Sequence, residues 1–165
     1  MLYVFIYYRA LGIVIFFGLL IFSALLYTTM AVLGETAGLS LSLAGVAGMI
    51  ISVGVTTDSY IVAFERLKDE IRSGKSMRAA VDRGMVRAFS TIVVADVVTG
   101  LAAVILFFLA VGPVRGFALT LGLATLIDVF VAYFYTRSAV HLLARTKLMT
   151  SGRFFGLKKA LGAEV

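Results

Sequence analysis

The stretch LSLAGVAGMIISVGVTTDSYIVAFE, Leu41–Glu65, decides how this chain is read. It is long and apolar enough to fill a helix that crosses a bilayer, yet it carries a carboxylate, Asp58. An acid placed in hydrocarbon is costly and marks a functional site. Two further apolar runs hold Asp96 and Asp128, and no Lys or Arg lies at comparable depth to neutralise the three. Within the first stretch Gly45, Gly48, Ser52, Thr56 and Ser59 recur at three- and four-residue intervals, while Gly54 stands one turn before Asp58 on another face. That spacing predicts a helix face on which a neighbouring helix packs closely.

The rest of the chain has the same character. Its 165 residues are 61% hydrophobic and 15% charged, and the mean hydropathy is +1.05. Such values describe a membrane protein rather than a soluble domain. Four spans of roughly the ~20 residues a helix needs can be drawn, at about Leu11–Leu33, Ser40–Phe64, Thr91–Val111 and Gly116–Leu143. The segment Met1–Tyr8 is apolar from its first residue, lacks a charged leader and is too short to cross. It reads as the end of a preceding span, so the sequence is expected to be one piece of a larger polypeptide. The expected fold class is therefore all-α, a polytopic membrane helix bundle over 1–148 with a basic tail at 149–165.

Gly34–Leu39 joins the first two spans, and Gly112-Pro113 turns the chain between the last two, since Pro cannot continue the helix before it. Orientation follows from the cations. Seven lie between the second and third spans (Arg66, Lys68, Arg72, Lys75, Arg78, Arg83, Arg87) and six at the C-terminal end (Arg137, Arg145, Lys147, Arg153, Lys158, Lys159). Of the two short turns, one holds no cation and the other holds Arg115. The positive-inside rule puts the central segment, the tail and Arg9 in the cytoplasm. The formal charge of +6 thus sits at headgroup level and does not point to nucleic acid.

The central segment Glu65–Ala88 is expected to be helical, broken at Ser73-Gly74, with Asp69–Arg72 and Arg66–Glu70 at helical pair spacing. Ser76 is placed to cap a second piece whose Met77, Val81, Met85 and Phe89 form an apolar stripe. Two readings compete: a helix lying against the bundle at the membrane surface, or a docking face for a soluble partner. Gly74-Lys75-Ser76 is not a phosphate loop, because Asp69 occupies the place of the required first Gly and a helix replaces the strand. The tail mixes Arg153, Phe154, Phe155, Leu157, Lys158, Lys159 and Leu161, a composition that suits an anionic lipid surface.

Asp58 precedes Glu65 by seven residues, Asp96 follows Arg87 by nine, and Asp128 precedes Arg137 by nine. At ~1.5 Å per residue, all three acids lie roughly 10–14 Å inside the cytoplasmic boundary. They are expected to face one another across the bundle interior, with Thr56, Thr57, Ser59 and Thr99 supplying hydroxyls nearby. Burial and mutual repulsion both disfavour charge, so at least one is expected to hold a proton near neutral pH. Asp58, Asp96 and Asp128 are thus candidate proton relays, with Thr57, Ser59 and Thr99 as supporting polar groups. No nucleophile–base set, nucleotide loop or metal cluster is visible; there is no Cys and a single His, His141. The reading is of a protein that is not an enzyme and needs no cofactor beyond a proton gradient.

From Tyr7 to Arg145 the chain resembles the SecD branch of the SecD/SecF protein-export family. The resemblance rests on YYR (Tyr7–Arg9), LSLAGVAGMIISVG (Leu41–Gly54), DSYIVAFERLKDEIRSGKS (Asp58–Ser76), RAFSTI (Arg87–Ile92) and GPVRGFALTLG (Gly112–Gly122). The last string separates the SecD from the SecF type. The resemblance implies a resistance-nodulation-division (RND) fold in a bacterial plasma membrane. It implies partners too: a SecF-like subunit, the SecY channel complex and a preprotein whose passage the proton gradient assists. The family's fourth-span acid, implicated in that coupling, matches Asp58. Asp96 stands where many relatives have Asn, and Asp128 is an Asp as in actinobacterial versions. The family's large extracytoplasmic domain and first span are absent from this sequence. Two other readings remain open: an RND-type exporter of lipids or small molecules, which Thr57-Asp58-Ser59-Tyr60 loosely resembles, and a scaffold with permanently neutral acids.

The topology is testable because the chain holds no cysteine. A membrane-impermeant maleimide added to intact cells is expected to label Val111→Cys and to spare Ser73→Cys until lysis. The reverse pattern inverts the orientation.

Overall fold

The computed structural model describes residues 10–37, 42–74 and 77–145. They form helices α1 (Ala10–Ala37), α2 (Leu43–Arg72), α3 (Met77–Leu109), α4 (Pro113–Val131), a π-helical turn (Ala132–Thr136) and α5 (Arg137–Arg145). No strand occurs among the described residues. Tyr7–Arg9, Gly38–Leu39, the Ser76 cap and the tail from Thr146 lie outside them, while Gly34–Ala37, expected as part of the connection between the first two spans, continue α1.

Four helical stretches are long and apolar enough to cross a membrane: Gly12–Thr36, Leu43–Arg72, Ala79–Leu109 and Pro113–Leu142. They match the four expected spans. α2, α3 and α4 pack mutually, and α1 lies mainly on α4 and α2. α2 starts cleanly, since Ser42 is extended and its Oγ accepts from the Gly45 N–H at 3.1 Å. At the other turn Gly112 holds φ +62°, a left-handed value that favours glycine, and Pro113 occupies the first turn of α4.

The central segment is helical and broken at Ser73-Gly74 as expected, and its two pieces continue the second and third spans. α2 runs unbroken through Arg72, the chain turns at Ser73 and Gly74 (φ +80°), and α3 runs unbroken from Met77. With 33 residues, α3 is ~50 Å long against a hydrocarbon core of ~30 Å, so its first turns stand clear of the lipid. Apolar packing holds this extension: Phe64, Leu67, Val81, Met85, Ala88 and Val140 share one buried cluster, with Phe89 against it. The Val81, Met85 and Phe89 stripe therefore packs on the bundle and offers no docking face. Gly84 lets the helices touch, as a Cβ there would stand 3.1 Å from the Leu67 backbone. Charges finish the seam. Arg87 on α3 pairs with buried Glu70 on α2, Lys68 pairs with Glu65 at 2.9 Å, and His141 Nδ1 on α5 lies 3.4 Å from Asp82 on α3.

The small-residue face of α2 packs as expected. Gly45 and Gly48 are buried against α4, and a Cβ on Gly48 would sit 3.1 Å from Thr120 Cβ and 3.2 Å from the Phe117 carbonyl. Gly54 has nothing within 4 Å of its Cβ position. Gly48→Val is expected to destabilise by about 1–3 kcal/mol through overpacking. Gly54→Ala is expected to cost nothing, and thermal unfolding in detergent separates the two.

Candidate functional site

Of the three acids, the structure brings Asp96 and Asp128 together and turns Asp58 away. Asp96 and Asp128 are each 3% exposed. Both line a crevice enclosed by Ser52, Val55 and Thr56 of α2 and Leu121, Ala124 and Thr125 of α4. Its volume of about 10 Å³ is close to the space of one water molecule. Asp128 accepts a hydrogen bond from Ser59 Oγ at 3.2 Å, which ties α4 to α2, and the Thr56 hydroxyl also reaches it. Asp96 Oδ2 is buried and has no hydrogen-bond partner among the described residues. A buried polar atom left so is costly, and it is the feature of this site that packing alone does not explain.

Asp58 corrects the expectation of three mutually facing carboxyls. It is exposed on α2, for a geometric reason. Successive helix residues turn by ~100°, so with Thr56 buried and Ser59 bonded to Asp128, the two residues between them, Thr57 and Asp58, must turn out of the seam. Asp58 shares its face with exposed Ala47, Ile51 and Gly54. That face meets no other described helix. Yet Asp58 and Ser59 are consecutive, so the open face and the crevice are one residue apart.

The supporting hydroxyls divide similarly. Ser59 reaches an acid. Thr57 Oγ1 bonds the Val53 carbonyl at 2.7 Å and Thr99 Oγ1 the Ala95 carbonyl at 3.0 Å, so both satisfy themselves on their own helices. Ser52, Thr56 and Thr125 line the crevice instead. Thr125 precedes Asp128 by three residues, a same-face spacing that could have flagged it. Below Asp128 the helix widens into the π turn, where the Arg137 N–H bonds the Ala132 carbonyl. Such turns mark functional sites often enough to be noted. Tyr135 of the turn donates to the Val14 carbonyl of α1 at 3.3 Å, and Tyr60 packs so tightly under α1 that a methyl on Gly18 would collide with its hydroxyl. Among the described residues no group of three His, Cys, Asp or Glu side chains could hold a metal ion.

The family model for "Protein export membrane protein SecD/SecF, C-terminal" matches residues 1–146. The chain belongs to the SecD/SecF protein-export membrane family. Its similarity to the protein translocase subunit SecD of Streptomyces coelicolor is 48% identity over 165 residues, covering 99% of this chain and 29% of that one. Against the Mycobacterium tuberculosis SecD subunit it is 44% over 157 residues, covering 95% and 27%. The chain thus spans less than a third of the length of these SecD relatives. Among solved structures it resembles the crystal structure of SecDF from Thermus thermophilus, described as a translocon-associated membrane protein. There the TM-score is 0.77 at 32% identity, over 97% of this chain and 24% of that one. SecDF in its super-membrane-facing form gives the same TM-score and identity. The helical bundle inferred from the sequence is therefore the SecDF membrane fold, and the chain is a multi-pass membrane protein.

The Ser59–Asp128 contact gives a measurable coupling. A double-mutant cycle of Ser59→Ala and Asp128→Ala, read by unfolding in mixed micelles, is expected to return about 0.5–1.5 kcal/mol. Asp58→Asn is expected to change stability by less than about 0.5 kcal/mol, since that side chain is exposed.

Proposed function

We propose that this chain is the membrane-embedded motor portion of a SecD-type subunit, which uses the proton gradient to assist preprotein passage across a bacterial plasma membrane. The reading is supported by relatives that are protein translocase SecD subunits and by likeness to a translocon-associated SecDF. The observation that carries it is the junction on α2, where exposed Asp58 is followed directly by Ser59, which holds buried Asp128.

That junction lets a proton do mechanical work. A charged Asp58 requires a polar neighbour; a neutral one tolerates apolar contact. Gaining or losing the proton therefore biases how α2 sits against whatever covers its open face. Turning or sliding α2 strains the Ser59–Asp128 bond and changes the enclosure of Asp96 in the same step. Gly45 and Gly48, which allow α2 and α4 to touch, are the surfaces over which such a shift takes place. Two arrangements of one packed helix pair, each favoured by one protonation state, make a switch.

In this reading a SecF-like subunit covers the Asp58 face, the SecY channel complex lies beside the pair, and the preprotein is the cargo. The Ser73-Gly74 turn and the C-terminal end face the cytoplasm. The chain acts as a transport subunit, not an enzyme, and the proton gradient replaces a cofactor.

In inverted vesicles with a preprotein, Asp58→Asn is expected to abolish the gradient-dependent part of translocation while insertion and assembly stay normal. Asp96→Asn and Asp128→Asn are expected to reduce it severalfold. Unchanged translocation in all three, or in the triple variant, makes the chain a scaffold. Accumulation of hydrophobic small molecules with export intact makes it a lipid or small-molecule exporter.

A further inference from the structure

Beside the crevice, and sharing Asp96 and Thr125 with it, a long groove runs along the seam where α3 and α4 pack. Its volume is about 460 Å³, within the range of small-molecule sites. On α3 it is walled by Val97, Leu101, Val104 and Phe108, a stripe at three- and four-residue spacing. On α4 the wall follows Leu119, Gly122, Leu126 and Val129, the same kind of stripe. Extended one turn upward, the α4 stripe arrives at Arg115. That guanidinium lies 4.4 Å from the ring centroid of Phe107, which itself lines the groove. Arg115 is exposed beside the Gly112-Pro113 turn, where the helices leave the membrane.

Length, lining and charge together select one occupant. From Asp96 to Phe108 the groove follows α3 for ~18 Å, close to half of a ~30 Å hydrocarbon core. One leaflet's acyl chain has that reach. The walls are hydrocarbon throughout except for Asp96 and Thr125 at the inner end, so nothing along the way would hydrogen-bond a polar substrate. At the outer end stands a planar cation, suited to a phosphate diester at headgroup height. Gly100 and Gly122 keep the floor low, each facing the opposite wall with no side chain of its own.

We propose that the α3–α4 groove is a phospholipid site, which holds one acyl chain along Val97–Phe108 with the phosphate on Arg115. The tail end abuts Asp96 and closes the crevice to water from the membrane side. The site lies in the leaflet at the Gly112-Pro113 turn, whichever side of the membrane that is. It does not rest on the export reading, and its failure would leave that reading intact.

The experiment uses the protein in its full cellular form, extracted in mild detergent, stripped of lipid and titrated with dipalmitoyl phosphatidylglycerol under native mass spectrometry. The wild type is expected to retain one tightly held lipid. Val104→Trp fills the groove from an exposed position and is expected to weaken that binding at least about tenfold. Arg115→Gln is expected to weaken it severalfold while leaving dipalmitoylglycerol, which has no phosphate, unaffected; Arg115→Lys is expected to recover most of the loss. Leu20→Trp, on the exposed face of α1, is the control and is expected to bind as wild type. Wild-type lipid binding by either Val104→Trp or Arg115→Gln overturns the site, as does equal loss in Leu20→Trp. Release of a co-purifying subunit by Val104→Trp, with lipid retained, also overturns it and assigns the groove to a partner helix.

Discussion

Asp128 is held inside this bundle because α2 and α4 approach closely enough to enclose it, and glycine sets that distance. Gly45 and Gly48 bring α2 against Thr120 and Phe117 of α4. That contact lies about one to two turns from Ser52 and Thr56, and it fixes the gap into which Asp128 reaches. Were α2 held away by even one methyl group, the Ser59 hydroxyl would lose Asp128 and the crevice would open to lipid. The Gly84–Leu67 contact repeats the device at the other end of the same helix, where α2 meets α3. Close contacts therefore hold α2 at both ends, to α4 at one and to α3 at the other.

Much of the architecture was legible because the bilayer imposes a simple rule. Length and apolarity located four spans, Gly112-Pro113 located a turn, and the three- and four-residue spacing of small residues located the packed face of α2. What remained hidden depends on rotation and on contacts between distant segments. Asp58 and Ser59 are neighbours in sequence but ~100° apart around the helix, and the axial depth argument that levelled the three acids is blind to direction. The cross-helix Arg87–Glu70 pair joins segments 17 residues apart, which pair rules within a single helix do not reach. Continuity of α2 and α3 beyond the membrane was missed because a run of charges was taken to end a span. In water those charges are compatible with helix, and the apolar stripe beside them carries it on. The π turn has no composition signal in AYFYT, Ala132–Thr136.

Asp96 occupies an unusual position in this arrangement, as the partition between two spaces of opposite character. On one side lie hydroxyls and a second acid in a space the size of a water molecule; on the other lies a hydrocarbon groove. Its Oδ2, unpartnered among the described residues, is the kind of buried polar atom that structural packing normally eliminates.

The outward-facing Asp58 has a consequence for biogenesis. On insertion scales an acid at a helix centre costs about 2.5–3.5 kcal/mol, and an isolated copy facing lipid bears that penalty in full. Whatever shields the carboxyl lifts the penalty and so favours the assembled form by the same amount. An isolated copy therefore carries a lipid-facing cost at Asp58 that any neighbour shielding the carboxyl would relieve.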